Sequence, residues 1–251
     1  MLKTIVTAAL IAFGTACLCP TADAAKKVAA PTLNLPTHTH TEICDDTSPE
    51  PMQIVCILDR SGSMHALVTD TIGGYNSFLA EQKKKNARAE VTTVLFDSEY
   101  EKLVDTVPLA DAPVMTDKDY YARGMTALLD AVGRTVSDTL GQMEKKGICP
   151  EKRKVLFLIM TDGQENSSKE YNKQTVKALV NMTKEKYHWN YVFMGANIDS
   201  VAEAGAIGID AKHAANYDHN AGGVKQSFAR MGAAVDEVQA TGSVGGDWKK
   251  E

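Results

Sequence analysis

The segment CILDRSGSMHAL, residues 56–67, runs apolar into Asp59, turns through Arg60, Ser61, Gly62 and Ser63, and becomes apolar again. With the residues before it, it completes QIVCILD, residues 53–59, an unbroken apolar run of the kind found in strands covered on both faces. Asp59, Ser61 and Ser63 place one carboxylate and two hydroxyls at the end of that strand. None of the three is a strong nucleophile without a base beside it. The pattern poses a choice between a polar turn and part of a metal site.

A second strand ends the same way. KVLFLIMTD, residues 154–162, is apolar up to Asp162 and runs into GQENSS. Between and beyond these strands the period changes. Ile72, Tyr75, Phe78 and Leu79 recur at helical spacing, as do Leu128, Leu129, Val132, Val136, Leu140 and Met143. AEVTTVLFDSEYEKLVDTVPL, residues 89–109, reads as two strands joined by a turn at Asp97-Ser98, a hairpin. A helix over residues 173–187, a strand in NYVFMGAN, and weaker pieces near 201–206, 214–217 and 224–239 follow. Strands alternating with helices predict an α/β fold: a doubly wound, mostly parallel sheet with one antiparallel edge hairpin and helices on both faces. Such sheets bind ligands at the carboxyl ends of their strands, beside the reversal in strand order, which is where Asp59 and Asp162 fall.

The chain has 251 residues, 44% hydrophobic and 24% charged, with a net charge of −5. This is globular composition, and its mild acidity gives no electrostatic reason to expect nucleic acid or an anionic membrane surface. Lys83 to Lys85 and Lys145-Lys146 fall where helices are expected to end, complementing the helix dipole. Residues 1–24 read as a signal peptide, a basic start and an apolar run ending at Ala22-Asp23-Ala24; lipid anchoring at Cys17 is the alternative. Residues 25–51 read as an extended linker carrying His38 and His40, residues 52–240 as the domain, and residues 241–251 as a flexible tail. The expected location is outside the cytoplasm, periplasmic or secreted. There, Cys44 and Cys149, each shortly before a parallel strand, could pair; two free thiols is the alternative. Cys56 reads as a buried core residue. His188, His213 and His219 read as surface residues.

The third candidate segment is YYARGMTALLD, residues 120–130, which puts Thr126 in a glycine-containing loop before a helix. Asp59, Ser61, Ser63, Thr126 and Asp162 are hard oxygen donors of low total charge from three loops. That donor set suits magnesium or manganese and leaves the ion under-neutralised. Any one of these residues alone is as well explained by a helix cap or a turn.

Together, ILDRSGSM, GMTALLDA and TDGQEN resemble the three motif segments of the metal-ion-dependent adhesion site of von Willebrand factor A domains. The resemblance covers about residues 52–239 and is similar to small single-domain bacterial members, which usually lack a leader. It implies that Ser61 and Ser63 ligate the ion directly, with Thr126, Asp59 and Asp162 direct or through water. It implies a remaining vertex completed by a partner's carboxylate, hence a protein-binding module rather than an enzyme. Arg60, Tyr121, Arg123, Gln164 and Asn166 are expected at the partner-facing rim. The rival readings are a metal-dependent phosphohydrolase-type enzyme and a scaffold that uses no metal. No G-x-S-x-G, H-E-x-x-H, phosphate-loop or C-x-x-C motif is present to support the enzyme.

Overall fold

Apolar side chains on both faces of a strand demand cover on both faces, and that requirement sets the layers here. In the computed structural model, which describes residues 50–85 and 88–250, β1 (Gln53–Asp59) is buried at every position. It lies centrally in a six-stranded sheet with β2 (Glu90–Phe96), β3 (Tyr100–Pro108), β4 (Val155–Thr161), β5 (Asn190–Gly195) and β6 (Ala214–Asn216). The order is β3-β2-β1-β4-β5-β6. Only the β2–β3 hairpin is antiparallel. The leader, the Cys17 alternative, the linker histidines and Cys44 lie outside the described residues.

Alternation along β1 divides the core. Ile54, Cys56 and Leu58 face α1 (Val68–Lys85) and α5 (Ala221–Thr241), where they join Tyr75, Phe78, Phe228 and Val235. Val55 and Ile57 face α2 (Leu128–Lys146) and α3 (Lys173–Tyr187), joining Val132, Val136, Val176 and Val180. A short α4 (Ser200–Ala206) follows β5. The lysine runs do end α1 and α2. Cys56 is free and buried, as expected, and Cys149 is disulfide-bonded.

The chain's C-terminal stretch departs from expectation. Residues 242–250 pack on the domain instead of forming a flexible tail. Trp248, 0% exposed, sits in a short 3-10 turn, Asp247–Lys249, and Val244 is buried beside it. The Val244 N–H donates to Asn190 Oδ1 at 2.9 Å, and its carbonyl lies 3.0 Å from His213 Nε2. Lys249 Nζ donates to the carbonyls of Ala211 and Ala214. Two apolar residues four apart among Gly, Ser and Lys show no periodicity, yet an indole is too large and apolar to leave in water when a surface can cover it. His213 is accordingly buried, not superficial.

Candidate metal centre

The parallel pairing of β1 with β4, in register from Gln53↔Val155 to Leu58↔Met160, brings Asp59 and Asp162 to the same end of neighbouring strands. This is where the strand order reverses, because β2 lies on one side of β1 and β4 on the other. Beyond β1 the chain turns into a 3-10 segment, Gly62–Leu67, whose buried Met64 and Leu67 pull it back onto the core. The turn leaves Ser61 buried and Ser63 open to solvent.

Asp59 is held on both oxygens. Oδ1 accepts the Ser61 N–H at 2.7 Å and Oδ2 accepts the Thr161 hydroxyl at 2.6 Å. Burial pushes its pKa up to about 6; the bonds from Thr161 and Ser61 pull it down, and the charge of Asp162 adds to the rise. The Ser63 hydroxyl donates to Asp162 Oδ1 at 2.6 Å, and Ser61 Oγ lies 3.1 Å from Ser63 Oγ. A methyl group placed on Gly163 would lie 3.6 Å from Thr126 Oγ1 and 3.7 Å from Ser63 Oγ, so both hydroxyls flank one point. The structure thus brings all five expected donors together.

The loop carrying Thr126 is pinned at several points. Thr126 exchanges two bonds with Asn166: its N–H donates to Asn166 Oδ1 at 2.8 Å, and its carbonyl accepts the Asn166 N–H at 3.0 Å. The Gly124 carbonyl accepts the Gly62 N–H at 3.2 Å, and the Met125 N–H donates to Ser98 Oγ at 2.9 Å. Gly124 itself has φ +67°, where a side chain would be strained and would meet Ser98. Tyr120, buried, donates its hydroxyl to the Asp59 carbonyl.

The expected rim divides. Tyr121, 44% exposed, Gln164 and Asn166 face solvent, and Arg123 is half-buried. Arg60 does not belong to the rim. It is 0% exposed, donates from Nε to Asp97 Oδ2 at 2.9 Å, and lies with Nη1 2.7 Å from Glu101 Oε2. It follows directly on the end of β1, where its side chain turns under the β2–β3 hairpin to reach Asp97 and Glu101. Arg123 reaches the same Asp97 oxygen at 2.8 Å, and both guanidinium groups flank the Tyr121 ring.

One site residue was missed. His219 Nε2 lies 2.8 Å from Asp162 Oδ2, so it belongs to the site and not to a remote surface. The signal was present in AANYDHN: β6 is parallel to β5, so the loop after it also lies at the carboxyl end of the sheet.

The donors fit a hard divalent ion. All are oxygens, two are buried carboxylates, and among the described residues neither carboxylate has a lysine or arginine ion pair. With hydroxyls supplying most of the set, no cluster of three His, Cys, Asp or Glu side chains suited to a metal occurs among the described residues.

No protein-family model and no curated protein matches the chain. Solved structures do. The pilus adhesin SpaC of Lactobacillus rhamnosus GG, in its open conformation, is 13% identical with a TM-score of 0.56 over 73% of this chain and 30% of that one. The PilB minor pilin of Streptococcus sanguinis is 10% identical with a TM-score of 0.51 over 76% and 63%. Proximal thread matrix protein 1 of the mussel byssus, with a zinc-occupied metal-ion-dependent adhesion site, is 12% identical with a TM-score of 0.50 over 75% and 47%. This chain therefore spans less than two thirds of each. These likenesses show the fold, which is that of von Willebrand factor A domains.

Proposed function

We propose that this chain is an exported protein-binding module that works through a divalent ion, magnesium or manganese, held by Asp59, Ser61, Ser63, Thr126 and Asp162. The observation that carries the reading is the convergence of two buried carboxylates and three hydroxyls at the strand-order switch, with Ser63 open to solvent. A bound ion would supply an electrophilic centre short of negative charge, which a carboxylate from a protein partner would complete. The chain's own residues do the rest. Asp59 and Asp162 would offset part of the ion's charge, the hydroxyls would fill its sphere at no charge, and Tyr121, Arg123, Gln164 and Asn166 surround the approach.

Export rests on the leader-like residues 1–24, with periplasmic or secreted destinations both consistent. No helix among the described residues is long and apolar enough to cross a membrane. Pairing of Cys149 with Cys44 belongs to the same reading. The pilus adhesin and the minor pilin among the structures of this fold support a binding role.

Thermal unfolding in chelator, then with magnesium or manganese, tests the proposal against the Asp59→Ala/Asp162→Ala double variant. At a hundred times its dissociation constant the ion adds about 2.7 kcal/mol. For a domain of this size that raises the Tm by about 5–10 °C. The double variant should show no rise. An equal response in both proteins, or none in either, overturns the reading; turnover of simple phosphoesters would replace it with the enzyme.

A further inference from the structure

His219 reaches the ion site from a sixth strand end that the five-donor motif does not include. Its Nε2 lies 2.8 Å from Asp162 Oδ2, while Asp162 Oδ1 accepts from Ser63. Since a carboxylate oxygen can only accept, Nε2 carries the proton and donates. The Asp162 side chain is fully buried, and that of His219 is 26% exposed.

The loop that delivers His219 is fixed on both sides. Before it, the buried Tyr217 donates its N–H to the Gly195 carbonyl at 2.9 Å, anchoring the chain to β5. After it, Asn220 caps α5, accepting the Gly223 N–H at 2.9 Å. Gly223 packs so closely that a methyl group there would sit 2.0 Å from the Asp218 carbonyl oxygen. The main chain that carries the imidazole is thus fixed on both sides, and the ring itself is held by Asp162.

We infer that His219 is a positioning residue of the ion site: it holds Asp162 through Oδ2 so that Oδ1 is turned toward Ser63 and the ion. The inference rests on the proposed ion site and deepens it. Donation from the imidazole restricts the carboxylate's rotation without adding a ligand. Outer partners of this kind typically contribute 10- to 100-fold in metal affinity.

Calorimetric titration with Mn2+ of the whole chain, His219→Gln, His219→Asn and His219→Leu tests this, with melting in chelator recorded for each. His219→Gln can still place an N–H at Oδ2 and should bind within about threefold of wild type. His219→Asn and His219→Leu should bind about 10- to 100-fold more weakly, with chelator melting close to wild type. The shorter amide of Asn keeps the test valid if the Leu variant fails to fold. Equal Mn2+ affinity in His219→Asn and wild type overturns the positioning role while leaving the ion site intact. Nitrogen hyperfine coupling to bound Mn2+ in wild type also overturns it, by making His219 a ligand. Absence of Mn2+ binding by wild type overturns the ion site, and this inference with it.

Discussion

Arg60 and Asp97 form a buried ion pair across the base of the candidate site, Nε to Oδ2 at 2.9 Å, with the arginine side chain 0% and the aspartate side chain 2% exposed. Burial alone would raise the Asp97 pKa. Bonds from Arg123, the Glu99 N–H and Arg60, with the Arg60 charge, hold it below the ordinary carboxylate value. The pair ties the loop after β1 to the turn of the hairpin, and Asp97 adds its carbonyl to the N–H of Ala127, beside Thr126.

Replacing Asp97 therefore has a cost beyond one lost contact. Asp97→Ala leaves the Arg60 charge buried without its main partner and should destabilise the domain by about 3–5 kcal/mol. Urea unfolding, in chelator and with Mg2+, measures this. The loss should appear in both buffers, since it precedes the ion.

Asp59 gives the metal-free protein an unusual pH dependence. Its folded pKa of about 6 is above the ordinary 3.8, so between those values the folded state binds more protons than the unfolded. Stability in chelator should therefore fall as pH rises from about 4 to about 6, by about 3 kcal/mol in all. Asp59→Asn should flatten that slope and be more stable than wild type at pH 7 without metal. Denaturant titrations at several pH values read this directly.

Gly124 and Gly147 have nearly the same φ, +67° and +66°, in different surroundings. Gly124→Ala and Gly147→Ala should each cost about 1–2 kcal/mol for left-handed backbone. Only Gly124→Ala should weaken Mn2+ binding, by about tenfold, because it pushes on Ser98 and shifts the loop that carries Thr126. Gly147 ends α2, where added Cβ atoms meet open space. Calorimetry on the two variants separates backbone strain from damage to the site.

Trp248 supplies a test of the C-terminal packing. Trp248→Ala removes a fully buried indole and should cost about 3–5 kcal/mol, a penalty no flexible tail would show. Chemical unfolding and loss of protease resistance after Gly242 report it.

The architecture was legible because periodicity and burial share a cause. Five or six consecutive apolar residues running toward an aspartate mark a covered strand, and two such strands place their aspartates together once the sheet is parallel. Thr126 was legible for a different reason, its glycine-containing loop before a helix. Arg60 was not, since arginine is ordinarily exposed and its partner Asp97 is distant in sequence. His219 was misplaced because β6 is three residues long and leaves little trace of the strand whose end delivers it. Trp248 stands among glycines and lysines, with nothing beside it to mark a core.

The register Leu58↔Met160 has one more consequence. Sliding β4 by a single residue would move Asp162 about 3.3 Å along the sheet and turn the strand's side chains to opposite faces. The hydroxyl of Thr161 would lose Asp59, and the oxygens would no longer converge. An ion at the proposed site would thus serve as a checksum on assembly: a misaligned sheet would offer no centre to grip, so tight binding would certify that the central strands have zipped together correctly.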